Sequence, residues 1–547
     1  MRRFTLFLTA VALLVAGEAS AKKIHITDNK PFASQFNTKE GTTFIVSKVI
    51  DLKKGTIILP SNSILLFKKN GQLKNGKVCF NKTHLKWRKN KSLFRDCSFE
   101  GVLANNKLYI SLFGVEADGK SDDGPLINEV FSIIDGVGCE LIFDCDDDYG
   151  ISSPQRRTTV MVGSNTTVTF KGKGFLKLRS TSKLGAVLSL KDNAHDVIIN
   201  NVQIDGGGEK VIVGNSGQNG VGAGHFSNFC IKGGIIRNCH KGRDGTINGE
   251  FLPGDGGKGI QIESALCQGG VFEGVKIENC HAAISCHRNF QQKGGINVQF
   301  LNIFGESCEQ FAIIHQTNGE DMTGTEQRVV IKNFIARNCG NIDGVFIFSR
   351  TRFLTVENGV VEGSVKVPAI FRGRIGKSVI KDVEISQPCS SVIDLNPSTY
   401  GKDQRESSLD YFDLRIKGSY DYLITSDTQR KVPYRALTRS LISAECAENP
   451  GKAIYRNEVN SSGMLNIKVE LPENYGFEGE SVAFDRTYGA QYKRLKKGKV
   501  LLNKTVGETK FRPRYLTIKD TGFSFWNTES SSLDIWDGKE WVSFKIQ

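Results

Sequence analysis

The sequence predicts an all-β chain wound as a parallel β-helix, and three observations predict it. Short runs of alternating apolar and polar residues come in pairs, at 197–206, 229–239, 271–280, 296–305, 329–339, 354–363 and 379–386. Alternation with period two marks strands with one buried face. The pairs recur: Val202, Ile235, Val275, Leu301, Phe334, Val360 and Val383 lie 33, 40, 26, 33, 26 and 23 residues apart. Such an irregular period fits repeats that carry loop insertions. Asn and Gly break the runs and supply the left-handed backbone that coil corners need. One repeat cannot bury its own apolar side. Stacked repeats can, each strand pairing with its equivalent in the next coil.

Taken from the N-terminus, the chain opens with Arg2 and Arg3, an apolar run from Phe4 to Ala16, and Ala19-Ser20-Ala21. These are the three parts of a secretory signal peptide over 1–21, which predicts an exported protein (periplasm, cell surface or secreted). No other long apolar run follows in the 547 residues, so no integral membrane segment is expected after its removal. The 12 prolines against 58 glycines exclude a proline-rich or collagen-like chain. The formal charge is +14, or +13 without Arg2, Arg3 and Glu18. That charge would permit polyanion binding, but export argues against nucleic acid as a partner.

Residues 22–105 alternate like strands and read as an N-terminal β-rich region. It is basic around Lys68, Lys69, Lys74, Lys77, Lys82 and Lys86. Next comes LYISLFGVEADGKSDDGPLINEVFSII at 108–134. A helix is expected near Pro125, whose φ suits a first turn, with Leu126, Val130, Ile133 and Ile134 as its apolar face. Asp122 and Asp123 lie beside the positive end of its dipole, which makes a structural role the expectation for them and for Asp118. The segment resembles the opening of the pectate-lyase superfamily: Phe113-Gly114, Asp118-Gly119 and Asp122-Asp123 match its pattern, and Gly124-Pro125 replaces the usual Thr. The resemblance spans about 106–400. It implies a right-handed parallel β-helix, pectate lyase- or polygalacturonase-like, with an N-terminal capping helix.

Thirteen cysteines are an odd number, and none forms a CxxC pair. Cys239, Cys280, Cys308 and Cys339 each follow Asn or Ser at a matching repeat position, which predicts a stack of small, buried, reduced thiols. The repeat fades after 400. A C-terminal β-rich region at 401–505 and a terminal segment at 506–547 follow. The end of the chain is read as a small hairpin packed by Phe525, Trp526, Trp536 and Trp541; it resembles the tail segments of phage fibre and tailspike proteins.

Chemistry on a β-helix appears in sequence as a column of residues at matching repeat positions, since equivalent strands stack about 4.8 Å apart. Such a column exists. Cys280-HAAISC-His287 aligns without a gap on Cys308-EQFAII-His315, and Gly259 to Glu263 aligns on Ala283 to His287. Glu263, His287 and His315 should therefore share an outward face. Imidazole moves protons near neutral pH, and a carboxylate can be acid, base or orienter. The longest insertion, 240–258, brings Asp244 and Asp255 just before Glu263. Glu263, His287, Asp255 and Asp244 are the catalytic candidates. His315, Arg288, Arg350, Arg372 and Arg374 are the substrate-binding candidates, because guanidinium groups bind uronate carboxylates bidentately. Strand stacking alone does not set tetrahedral geometry for Glu263, His287 and His315, so no metal site is assigned; no cofactor is established, and calcium is left open.

The N-T-D, D-D, G-H-G and R-I-K signatures of the polygalacturonase branch do not occur in order along the coils. The resemblance therefore carries the fold and leaves the activity to the residues. They predict a polysaccharide lyase or glycoside hydrolase acting on an extended, uronic-acid-containing glycan, as a monomer or homotrimer. The alternative is a non-catalytic glycan-binding, adhesin-like or phage-tail-like protein.

Overall fold

The computed structural model describes residues 22–88, 92–153, 157–181, 185–208, 218–240, 245–247, 250–252, 256–263, 267–287, 296–315, 328–352, 354–376, 378–394, 411–426 and 521–545, with shorter stretches between 440 and 518. The signal segment 1–21 lies outside the described residues. So do Asp244, Asp255 and Arg288. No helix among the described residues is long and apolar enough to cross a membrane.

The chain divides into two units. One comprises Met1–Ser152, Thr159–Arg179 and Ala194–Asn200; the other holds the remainder. In the first, β1 (Lys23–His25), β2 (Thr43–Val46), β3 (Ile64–Phe67) and β4 (Gln72–Trp87) pair in parallel, so that Lys23, Thr43, Ile64 and His84 stand in one row. Strand β5 (Phe94–Leu103) adds to β4. Phe94 fills the interior, stacked on Phe113 at 5.8 Å and edge-on to Phe67 at 5.3 Å.

Helix α1 (Gly124–Ile134) then buries Ile127, Val130, Phe131, Ile133 and Ile134. Ile127 and Phe131 take the place expected for Leu126, which is only half-buried. The flanks explain the rotation: Asn128 accepts a hydrogen bond from the Met161 amide, and Glu129 accepts one from the Phe99 amide. The helix thus satisfies neighbouring backbone donors as well as covering apolar surface. The aspartates before it are structural, but not as helix caps. Asp123 is buried and accepts from the amides of Glu116 and Ala117, while Asp122 accepts from Gly124 and Ser152 and Asp118 from Lys120 and Ser121. Burial pushes the Asp123 carboxyl above its usual range, against those amide bonds. Strands β6 (Cys139–Phe143) and β7 (Thr166–Phe170) follow, in parallel register.

The second unit is the solenoid. Its strands alternate between two parallel sheets. The first sheet holds β8 (Phe226–Arg237), β10 (Cys267–Glu278), β12 (Ile296–Leu301), β14 (Arg328–Arg337), β16 (Leu354–Glu362) and β18 (Val379–Ile385). The second holds β9 (Lys258–Glu263), β11 (Ala282–His287), β13 (Gln310–His315), β15 (Phe346–Arg352), β17 (Val367–Gly376) and β19 (Cys389–Asp394). Each strand pairs with its equivalent one coil on, which is a parallel β-helix, the fold expected. Its interior stacks like on like: Phe229, Phe272 and Phe300 follow one another at 5.4 and 5.0 Å.

The corners are where the Asn and Gly signals act. Asn201, Asn302, Asn333 and Asn358 all have φ of 54°, and Asn238, Asn279, Ser307 and Asn338 have φ of 51–55°. Side-chain amides bond between coils, Asn279 to Asn238 at 2.8 Å and Asn358 to Asn333 at 2.7 Å. After the second set of corners, Cys239, Cys280, Cys308 and Cys339 turn inward as free, buried thiols, and burial pushes the Cys280 thiol well up. At the C-terminus, β20 (Ser524–Asn527), β21 (Ser532–Trp536) and β22 (Trp541–Lys545) form an antiparallel meander. Trp541 packs edge-on to Phe523, Phe525 and Trp536, whereas Trp526 is half-buried.

Candidate functional site

Glu263, His287 and His315 occupy the last positions of β9, β11 and β13. The register pairs Glu263 with His287 and His287 with His315, so the three stand in one column across three coils. They point outward because Ile262, Cys286 and Ile314, one residue earlier, are fully buried. Glu263 is exposed and both imidazoles are half-buried. The two rings meet edge to face, with centroids 5.6 Å apart and planes at 75°. Among the described residues no hydrogen bond joins Glu263 to His287. Glu263 Oε2 instead accepts from the Gln261 side-chain amide at 3.4 Å.

A second outward row runs two residues earlier on the same strands. It contains Gln261, Ser285, Ile313, Ile347, Arg372 and Asp394. Gln261 and Ser285 are nearly buried although they face away from the core.

The arginines do not extend the histidine column. His315 pairs with Ser349, one residue before Arg350, and the pairing of β15 with β17 slips between Phe348 and Thr351, the stretch that contains Arg350. Arg372 falls in the Gln261 row, four coils from Gln261. Its guanidinium lies between Asp394 Oδ2 at 3.3 Å and Asp343 Oδ1 at 3.5 Å, so its charge is already met. The Arg350 and Arg374 side chains, with Arg288, Asp244 and Asp255, lie outside the described residues.

Sequence reasoning missed Gln261, Asp343 and Asp394. Gln261 was open to discovery, being two residues before Glu263 on an alternating strand. Asp343 was not, because it lies in a corner turn whose place depends on the insertion before it. Asp205, at the end of its strand, is structural: it is buried and binds Arg237 at 2.8 Å, Asn238 at 3.1 Å and the Gly207 amide at 2.9 Å.

No family model matches the chain, and no curated protein matches it. Among solved structures it is similar to ORF18 of Geobacillus virus E2, at 12% identity over 81% of this chain and 86% of that one, with a TM-score of 0.34. It is similar to an exopolygalacturonase from Thermotoga maritima, at 11% identity over 73% and 95% with a TM-score of 0.35. The tailspike protein of E. coli bacteriophage HK620 matches at 10% identity over 70% and 66%, also with a TM-score of 0.35. The fold rests on the strand registers of this chain, not on these likenesses.

Proposed function

We propose that the chain is an exported polysaccharide-active enzyme, a lyase or hydrolase, working on an extended glycan that contains uronic acid. One observation carries the reading: an outward column of one carboxylate and two imidazoles, Glu263, His287 and His315, held in register on a rigid sheet. Side chains fixed on strands keep proton-transfer geometry better than side chains on loops.

Elimination uses such a set more fully than hydrolysis does. His287 would take the proton from the carbon α to a uronate carboxyl. The electron pair forms the new double bond, and the glycosidic oxygen leaves with a proton from an acid. Glu263 would orient the substrate or supply that proton. Arg288, Arg350 and Arg374 would meet the charge on the uronate, while Arg372, flanked by Asp343 and Asp394, is ill suited to it. Hydrolysis needs two carboxylates flanking the bond. The candidates for the second are Asp244 and Asp255. Calcium does not fit the described column, since it takes about six to eight oxygen ligands and the column offers one carboxylate and two imidazoles.

A binding-only face is the second reading, favoured by the missing hydrogen bond between Glu263 and His287. The test is a panel of uronate and neutral glycans. Ultraviolet absorbance reports an unsaturated lyase product, and new reducing ends without that absorbance report hydrolysis. Cleavage by the unaltered chain that Glu263→Gln and His287→Ala both abolish supports the enzyme. Cleavage that survives both rejects the column. Binding without cleavage selects the second reading.

A further inference from the structure

A second imidazole–carboxylate pair lies at the other end of the same strands. His281 precedes β11 and Glu309 precedes β13. The backbone sets them side by side: the Glu309 amide donates to Cys280 O and the Gln310 amide to His281 O, both at 3.0 Å. The His281 Nδ1 to Glu309 Oε2 distance is 2.5 Å. The ungapped alignment of Cys280 on Cys308 already places one opposite the other.

This pair differs chemically from the column. An ionised carboxylate can only accept, so in the neutral imidazole it holds the proton on Nδ1 and leaves Nε2 as a lone-pair acceptor. No other described group engages Nε2. On the coil before, the His281 amide donates to the carbonyl of Gly257, whose φ is +77°. Glycine carries no side chain to cover the ring from that side. The His281 and Glu309 side chains keep 15% and 26% of their surface, enough to be reached at one edge.

The neighbour reinforces the pattern. Gln310 is 4% exposed, its amide donates to Asp343 Oδ2 at 3.3 Å, and its Oε1 has no partner among the described residues. Gln310 Oε1 is closed to solvent, so the acceptor that a ligand can reach is His281 Nε2. Hydroxyl groups satisfy such acceptors, whereas a carboxylate or sulfate would be repelled by Glu309 and Asp343.

We propose that His281, oriented by Glu309, is a sugar-binding point that accepts a hydrogen bond from a glycan hydroxyl at a unit other than the one at the Glu263–His287 column. His281 stands just before β11 and His287 ends it, about 20 Å apart for extended chain, so only an oligosaccharide reaches both. The proposal rests on the glycan reading above.

The test uses the full chain with two probes, a hexasaccharide and a disaccharide of galacturonate, and calorimetric titration. His281→Ala should weaken hexasaccharide binding about tenfold and disaccharide binding less than about twofold. Glu309→Gln, which keeps the shape and removes the charge that fixes the tautomer, should weaken the hexasaccharide by a smaller factor. Equal losses on both probes, no loss on the hexasaccharide, or no binding by the unaltered chain overturns the proposal. Glu263→Gln separates the two readings: if it leaves cleavage intact while His281→Ala still weakens the hexasaccharide, the catalytic column fails and the binding point stands.

Discussion

The two outer faces of the solenoid treat charge differently. On the first sheet nearly every outward charge is met across the coils. Lys276 bridges Glu278 at 2.5 Å and Glu306 at 3.0 Å, Arg337 meets Glu362 at 2.7 Å, and Glu357 sits between Lys332 and Lys381 at 2.7 Å each. On the second sheet Arg372 is likewise met by Asp343 and Asp394 and His281 by Glu309, but Glu263 at its strand end accepts, among the described residues, only from the Gln261 side-chain amide at 3.4 Å. Exposed ion pairs add little stability each, so the first face mainly stays soluble and in register. Glu263, with no charged partner among the described residues, has no such explanation, and such a group is one a ligand can use.

The strongest way to break this contrast is activity. On a glycan that the unaltered chain cleaves, Glu263→Gln or His287→Ala should lower kcat/KM by about a hundred- to ten-thousandfold with unchanged circular dichroism. Lys276→Ala on the opposite face should change kcat/KM by less than about twofold. Comparable losses from both faces would erase the distinction.

Stability should follow the interior rather than either face. Phe272 is fully buried between Phe229 and Phe300. Phe272→Ala should cost about 3–5 kcal/mol in denaturant unfolding. At the corners the cost is smaller. Asn279 holds a left-handed φ of 51° and donates to Asn238, so Asn279→Ala should cost about 1–2 kcal/mol and Asn279→Gly less.

The smallest effect sharpens the ion-paired side. The ammonium groups of Lys332 and Lys381 hold the Glu357 carboxyl below its usual range. A lowered folded pKa adds stability that is present above the unfolded carboxylate range and lost as pH falls through the folded value. Glu357→Gln should therefore lower neutral stability slightly, leave stability in acid nearly unchanged, and so flatten the acid limb of a thermal-unfolding profile. A steeper acid limb in the variant would contradict the pairing.

Particular residues show how far the sequence reached. Cys280 and Cys308, aligned without a gap, put His287 on His315 and His281 on Glu309, because no insertion separates the cysteine from the end of the strand. The arginines were misplaced for the opposite reason. His315 pairs with Ser349, one residue before Arg350, the slip after Phe348 breaks the onward offset from β15 to β17, and the bridge of Arg372 to Asp343 depends on a corner turn that no alternation encodes. The helix face shifted by one residue because Asn128 and Glu129 bond to strand amides, which a hydrophobic pattern does not record.

The sequence by itself determined the coil. Period-two alternation, Asn and Gly corners and aligned cysteines are local or nearest-neighbour signals, and a solenoid needs only those, since each coil touches the next. Tertiary structure alone decided which outward charges are neutralised. That depends on pairing between residues about 25 to 35 positions apart, where a shift of one residue exchanges a paired face for an open one.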